Sequence, residues 1–265
     1  SALICKMARI DRIVGYDRDG RGFLLSDKLL PVKERGKFIP SPIVKYYLGI
    51  AQYLGSTHRD LKLELFITES EKREARQILS RAGLNPDLHR PASGGSAPLV
   101  VLNPGAQYGA AKCWLPEYFA KLADRLISEH GATVMISSAP RERAIVDAIS
   151  RHMNHAPVDL ARWGCTMGAL KDIVRRCDLM VTNDTGPRHI AAAFDVPVAT
   201  IFGPTHPEWT ETYFAKERKL AVPVFCGPCQ KKNCPLDHRC MTQLTPEMAY
   251  ETSTQLLING QRATV

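Results

Sequence analysis

A doubly wound α/β fold, with a parallel sheet covered by helices on both faces, is predicted for residues 98–243. Two observations predict it. After Pro98, short apolar runs alternate with amphipathic helical stretches. Two turn segments, NPGAQYGAAK from Asn103 and NDTGPRH from Asn183, each follow a predicted strand, at the carboxyl ends where such sheets take their ligands. An incomplete α/β domain is expected in residues 1–84, which hold too little regular structure for a second sheet of this kind.

In chain order, residues 13–16 and 23–25 read as short strands, 43–54 as an amphipathic helix and 64–67 as a strand. Thr68 and Glu71 form a capping box for a helix that runs to Arg81 and stops at Gly83. Residues 85–97, rich in Pro, Gly and Ser, read as an interdomain linker. A strand at 99–102 follows, then a helix over 116–129 with Pro116 at its start and Gly131 just past its end. Next come a strand at 133–136, a helix at 141–150, a strand at 158–160, a helix at 167–176 and a strand at 179–182. Residues 244–265 hold a closing helix that Thr245 and Pro246 open and that reaches about Ile258.

The stretch from Val181 to Tyr213 has the layout of an anion site: strand, sharp turn, short helix, second strand. Asp184, Thr185 and Gly186 supply the turn, and Pro187 sits where the first helical turn tolerates proline. Free backbone N–H groups and the helix dipole would then face a phosphate or diphosphate, with Gly186 permitting close approach. Thr185 adds a hydroxyl and His189 a ring on the same face. An ordinary strand-to-helix turn with a solvated or core histidine fits the same letters. Asp184 would repel phosphate, so its natural role is to brace the turn by accepting backbone N–H bonds.

The 265 residues are 45% hydrophobic and 23% charged, enough for one large or two modest cores, with a net charge of +8. That charge suits an anionic partner, and phosphates, acidic lipid headgroups and nucleic acid all qualify. No apolar run approaches the roughly 20 residues that span a bilayer. The opening SALICKMARIDRI is too broken by charge for a signal-peptide core, and Ser1 is not an initiator methionine, so the chain is expected to begin inside a longer protein. Of eight cysteines, Cys226, Cys229, Cys234 and Cys240 are clustered, with His238 nearby. Their spacing fits a tetrahedral zinc or free thiols in a packed loop. It also resembles a zinc knuckle, but Phe225 is the single aromatic neighbour, too few for a base-stacking platform. Reduced thiols are the expected state, and Cys5, Cys113, Cys165 and Cys177 read as packing residues.

The motif DTGPRHIAAA followed by PVATIFGPTHPEWT resembles the signature of the ADP-heptose:lipopolysaccharide heptosyltransferases, sugar-nucleotide transferases of glycosyltransferase family 9. NPGAQYGAAKCWLPEYFAKLADRL is similar to that family's other nucleotide-side motif, and CGPCQKKNCPLDHRCM to a cysteine-rich stretch found downstream in many members. The resemblance is strong over the C-terminal half and loose over the first 90 residues. It implies the two-domain glycosyltransferase B fold, with the closing helix packed back toward the first domain. It also implies inverting, metal-independent transfer of heptose from ADP-heptose to the anionic lipopolysaccharide inner core, without a cofactor, in the cytoplasm at the inner face of the membrane.

In such a reaction negative charge grows on the leaving diphosphate. The turn geometry offers it the Thr185 and Gly186 N–H groups and His189, and the resemblance adds Lys112 as the cation, although a solvated surface lysine is the ordinary fate of Lys112. Glu142 matches an acidic residue that contacts the nucleoside ribose in the family; alone it reads equally as a first-turn helix carboxylate. Asn103 and Gly105 line the first turn, and Thr166 is placed beside the base. Thr205 and His206 either face the crevice or form a proline-rich turn. Inverting transfer needs a general base, an aspartate in a glycine-containing loop near the start of the family's first domain, and nothing here matches that loop. Asp11, Asp17 and Asp19 lie in RIDRIVGYDRDGRG, which reads as a later strand and hairpin, so the base is expected upstream of Ser1. Two other classes of function stay open: a non-catalytic nucleotide-binding protein, and a zinc-knuckle RNA-binding protein.

Overall fold

The computed structural model describes residues 1–87 and 97–262, so most of the predicted linker lies outside the described residues. The chain divides into two units, residues 1–61 with 207–213, and 62–206 with 214–265.

The first unit is small. It holds α1 (Ala2–Met7), β1 (Val14–Tyr16), β2 (Asp27–Leu29), the strands β3 (Lys33–Glu34) and β4 (Lys37–Phe38), and α2 (Ile43–Tyr53). Ala2, Ile13 and Leu25 form its buried cluster, and the rings of Tyr16 and Tyr46 stack with centroids 3.8 Å apart. The strand expected at 23–25 is instead a 3-10 turn at Gly22–Leu24, where Leu24 N–H and Leu25 N–H bond three residues back, to Arg21 and Gly22. Local bonds thus take the donors a ladder would need. Strand β2 forms beyond the turn and pairs with β1 in parallel, so the expected hairpin is absent there, and the antiparallel ribbon is β3 with β4.

The second unit carries the site. After α3 (Glu69–Arg81) come β5 (Leu99–Asn103), α4 (Pro116–His130), β6 (Thr133–Ile136), α5 (Arg143–His152), β7 (Val158–Asp159), α6 (Met167–Arg175), β8 (Leu179–Asn183), α7 (Gly186–Ala193), β9 (Val198–Phe202), β10 (Glu217–Ala221), α8 (Arg239–Thr242) and α9 (Pro246–Arg262). All six strands pair in parallel in the order β10-β9-β8-β5-β6-β7. Chain order therefore reverses between β5 and β8, which opens a crevice beyond their carboxyl ends.

Alternation along the strands builds two cores. Val100 and Leu102 of β5, with Leu179 and Val181 of β8, face α4, α5 and α9; Leu99, Val101 and Met180 face α3, α6 and α7. The predicted caps hold: Thr68 N–H reaches Glu71 Oε2 at 2.8 Å, Pro116 opens α4, and Gly131 closes it in the left-handed region at φ 63°. The helix expected from residue 141 begins as a 3-10 turn at Pro140–Glu142 and becomes α-helical at Arg143.

Two placements differ from expectation, those of helix α3 and of residues 64–67. Helix α3 packs on α6 through Ala75, Ile78 and Leu79, which assigns it to the second unit rather than the first. Residues 64–67 form no strand, and the Phe66 carbonyl accepts from Lys171 Nζ at 2.8 Å. Helix α9 lies on α4 and the β8–β9 face of its own unit, where Ala249, Tyr250, Leu256 and Leu257 join the core.

Phe119 of α4 is fully buried and meets Trp114 edge to face at 5.0 Å. Phe119→Ala is expected to cost about 3–5 kcal/mol. Urea unfolding followed by tryptophan fluorescence measures it, and a cost below about 1 kcal/mol would contradict this packing.

Candidate functional site

The NDTGPRH turn is built as its letters predict: β8 ends at Asn183, Thr185 is the N-cap residue, and α7 starts at Gly186 with Pro187 in its first turn. Thr185 makes no side-chain cap bond, and Gly186 is exposed. Gly186 does not adopt a left-handed torsion, and a Cβ there would meet nothing within 4 Å. Its value is open space in front of the helix, not backbone freedom.

Behind the turn lies a buried charge network. Asp184 Oδ2 accepts from Lys112 Nζ at 2.5 Å and from Thr205 Oγ1 at 3.1 Å, while Asp184 Oδ1 accepts from Arg188 Nη1 at 3.0 Å. Arg188, fully buried, also donates to Glu217 through Nε at 2.5 Å and Nη2 at 3.1 Å, and Thr200 Oγ1 donates to Glu217 at 2.6 Å. Two cations face two carboxylates, so the network carries no net charge. Asp184 is held by side-chain donors, not the backbone N–H groups expected, and these come from two separate loops and a helix. Thr205 belongs to this brace.

Lys112 is 9% exposed, and two of its three N–H groups are taken by Asp184, one by the carboxylate and one by the backbone carbonyl at 3.0 Å. It sits under the turn and is not a solvated lysine. His189 is half-buried and also stands off the cavity wall. Burial, then the Arg188 charge, push its pKa below the ordinary 6.5, so it is neutral at pH 7 and brings no cation to a phosphate.

The turn opens on a cavity of about 820 Å³ at the β5–β8 reversal. Asp184, Thr185 and Gly186 form one wall; Asn103 ends β5, and Gly105 and Tyr108 come from the loop after it. Ser138, Arg141 and Glu142 come from the loop after β6, and Cys165 and Thr166 immediately precede α6. Asn103 is spent internally, donating to Thr182 Oγ1 at 3.2 Å and accepting from Ser137 Oγ at 3.0 Å. Gly105 is needed for close approach, since a Cβ there would lie 2.2 Å from Glu142 Oε2. That same oxygen accepts from Ala139 N–H at 2.9 Å, fixing the carboxylate on the cavity wall. Thr166 Oγ1 caps α6 at Ala169 N–H and donates to Glu74 at 3.0 Å, so its hydroxyl is bound before any ligand arrives. The Cys165 thiol is raised to about 12 by burial and Glu74, and Cys113 is raised by burial and Glu142; both stay protonated and unreactive at neutral pH.

Four contributors escape a sequence reading. Arg188 binds the turn to β10, and its spacing of four from Asp184 was the available signal. Asn183 ties the two motif loops together, donating to the Pro104 carbonyl at 2.6 Å and accepting from Trp114 N–H at 3.2 Å. Arg141, exposed on the cavity rim, makes no ion pair among the described residues. Ser138 Oγ is buried without a hydrogen-bond partner among the described residues.

All eight cysteines are free thiols. Cys226, Cys229, Cys234 and Cys240 do not make the tetrahedral site their spacing suggests, because among the described residues no group of three or more His, Cys, Asp or Glu is placed to hold a metal. His238 is turned away to the Ala111 carbonyl, 2.8 Å from its Nε2.

A sequence model of glycosyltransferase family 9 (heptosyltransferase) matches residues 1–239. The chain belongs to this family. It is 34% identical over 167 residues to lipooligosaccharide heptosyltransferase 2 of Campylobacter jejuni, a match covering 61% of this chain and 52% of that protein. The chain thus spans about half the length of the curated relatives it matches first. Among solved structures, a family 9 glycosyltransferase from Veillonella parvula superposes with a TM-score of 0.74 at 18% identity, over 97% of this chain and 70% of that one. The E. coli ADP-heptose lipopolysaccharide heptosyltransferase II superposes with a TM-score of 0.71 at 23% identity, over 97% and 73%. These likenesses establish the α/β fold. Among the described residues no helix is long and apolar enough to cross a membrane.

Two outcomes are expected. Arg188→Met removes the cation shared by Asp184 and Glu217, leaving two buried carboxylates with Lys112 alone to balance them, and should cost about 3–5 kcal/mol in urea unfolding, while a loss under 1 kcal/mol would mean the network is dispensable. For His189 the folded pKa lies below the unfolded 6.5, so the unfolded chain takes the proton first. The stability tied to its neutral ring is full above pH 6.5 and is lost as pH falls from there toward the folded value. The drop in unfolding free energy between pH 7.5 and pH 5.5 should therefore be smaller in His189→Gln; an equal drop would remove His189 as a contributor.

Proposed function

We propose that this chain is the donor-binding part of an inverting heptosyltransferase that transfers heptose from ADP-heptose to a hydroxyl of the anionic lipopolysaccharide inner core. The observation that carries the reading is the cavity at the β5–β8 reversal, walled on one side by the N-terminus of α7 and on another by the fixed carboxylate of Glu142. Such a pairing suits a nucleoside diphosphate, with diphosphate at the helix end and ribose hydroxyls at the acid. The heptosyltransferase relatives support the sugar and the acceptor.

Each residue has a task in that reaction. As the glycosidic bond breaks, charge accumulates on the departing diphosphate, and the Gly186 N–H, the Thr185 hydroxyl and the α7 dipole face it. Lys112 holds Asp184 in place and keeps one N–H for a phosphate oxygen; its charge is otherwise balanced by Asp184. Arg141 adds positive potential at the rim. Ser138 Oγ gains a partner when a nucleoside enters, which accounts for a buried hydroxyl left unpaired in the free protein. This arrangement stabilises the leaving group without a metal. No general base is assigned to Asp11, Asp17 or Asp19. Transfer to a lipid-borne acceptor would bring the protein to the inner membrane surface, which the excess of Lys and Arg favours.

The test is calorimetric titration with ADP. Gly186→Val keeps an allowed backbone and its Cβ enters open space, so it should fold normally yet bind ADP at least about tenfold more weakly, a loss near 1.4 kcal/mol. Unchanged ADP affinity in that variant would move the diphosphate away from the turn. Release of ADP from ADP-heptose in the presence of an inner-core acceptor tests the transfer itself.

A further inference from the structure

The cysteine-rich segment has no catalytic assignment, yet it is bonded to the loop that carries Lys112. The Lys232 carbonyl accepts from Ala111 N–H at 2.9 Å, and the backbone approach is close enough that a Cβ on Gly109 would lie 2.4 Å from the Lys232 oxygen. The Gln230 carbonyl accepts from Tyr108 Oη at 2.5 Å. His238 Nε2 lies 2.8 Å from the Ala111 carbonyl, which can only accept, so that nitrogen carries the proton. The far side of the segment holds the loop after β9: Gln230 N–H donates to the Pro204 carbonyl at 2.8 Å, and Met241 Cε would be 2.5 Å from a Cβ on Gly203. That second loop carries Thr205, which shares Asp184 Oδ2 with Lys112.

We infer that residues 230–241 act as a strut that holds the Lys112 loop and the Thr205 loop against Asp184, with His238 as a positioning residue for nucleoside-diphosphate binding. Both donors to Asp184 Oδ2 sit on loops that have backbone groups bonded to this one segment, Ala111 in the first and Pro204 in the second. A loop between residues 103 and 112 with no ladder of its own has few other ways to keep a lysine within bonding distance of a buried carboxylate. His238 is suited to the corner it occupies, at φ 57°, by a side chain long enough to reach the loop from a left-handed backbone. The thiols contribute packing: Cys240 is buried beside Met241 and is raised to about 11, first by burial, so it remains a protonated core thiol.

This inference rests on the donor-site reading above, and the experiment separates the two. ADP is titrated into wild type, His238→Ala and His238→Gln, and amide exchange is followed at Ala111 and at the β5 core. The expected results are about tenfold weaker ADP binding in His238→Ala, faster exchange at Ala111 with β5 unchanged, and recovery of both in His238→Gln, whose amide donates from a similar reach. ADP affinity unchanged in His238→Ala, or weaker affinity with Ala111 exchange unaltered, overturns the strut. Faster exchange throughout β5 makes His238 a general stability residue and also overturns it. Failure of the wild-type chain to bind ADP overturns the donor-site reading, and the role of the strut in binding falls with it, whereas ADP binding by wild type with no effect in His238→Ala overturns the strut alone.

Discussion

Asp184 is the point on which the site is assembled. Its carboxylate is buried, and its two oxygens are divided among Lys112, Thr205 and Arg188, which arrive from the loop after β5, the loop after β9 and helix α7. Arg188 extends the chain of charges to Glu217 on β10. Desolvating four ions is costly, and the geometry offsets that cost only if all four are in place. The network therefore does little for stability in itself and much for uniqueness: loss of one member leaves an opposite charge stranded in the core. That constraint fixes the ends of β5, β8, β9 and β10 relative to one another and so sets the shape of the crevice.

Under the proposed function, the same network decides how the site attracts an anion. With Lys112 and Arg188 balanced by Asp184 and Glu217, the interior contributes almost no net charge, and attraction falls to the α7 dipole, the open N–H at its start and Arg141 on the rim. In the proposed reaction, preorganised dipoles that need not reorient are well matched to charge that develops late, on a leaving group, and a lysine whose charge is already paired with Asp184 does not over-stabilise the bound ground state. His189 adds to this by staying neutral. A histidine on that helix with an ordinary pKa would make anion affinity vary across the physiological range; burial and the adjacent Arg188 remove that variation.

How much of this was legible in the sequence follows from the range of each interaction. The alternating apolar runs, the Thr68–Glu71 box, Pro116, Gly131 and the Asp-Thr-Gly-Pro turn are local signals, and the structure has them where the letters place them. Residues 23–25 and 64–67 show the opposite case. They are apolar enough to read as strands, but a strand exists only if a neighbour offers a ladder, and each segment spends its backbone groups elsewhere. The contact between Lys112 and Asp184 spans 72 residues, and that between Arg188 and Glu217 spans 29. No period or cap announces such pairs. Lys112 could therefore be singled out as a cation of the site while its partner, and hence its availability, stayed hidden.

The cysteine-rich segment extends this point to loops. Its thiols drew attention because cysteine chemistry is conspicuous, yet its structural work is done by main-chain groups at Gln230 and Lys232 and by one imidazole. Backbone bonding is almost independent of side-chain identity, so a sequence reading sees the cysteines and misses the clamp. The constraint at Asp184 explains why a clamp is needed at all. Two loops must deliver a donor to one carboxylate oxygen, and neither loop has a strand partner at that point to hold it. A segment bonded to both replaces two independent ordering events with a single one, which lowers the conformational entropy lost when the crevice takes up its ligand.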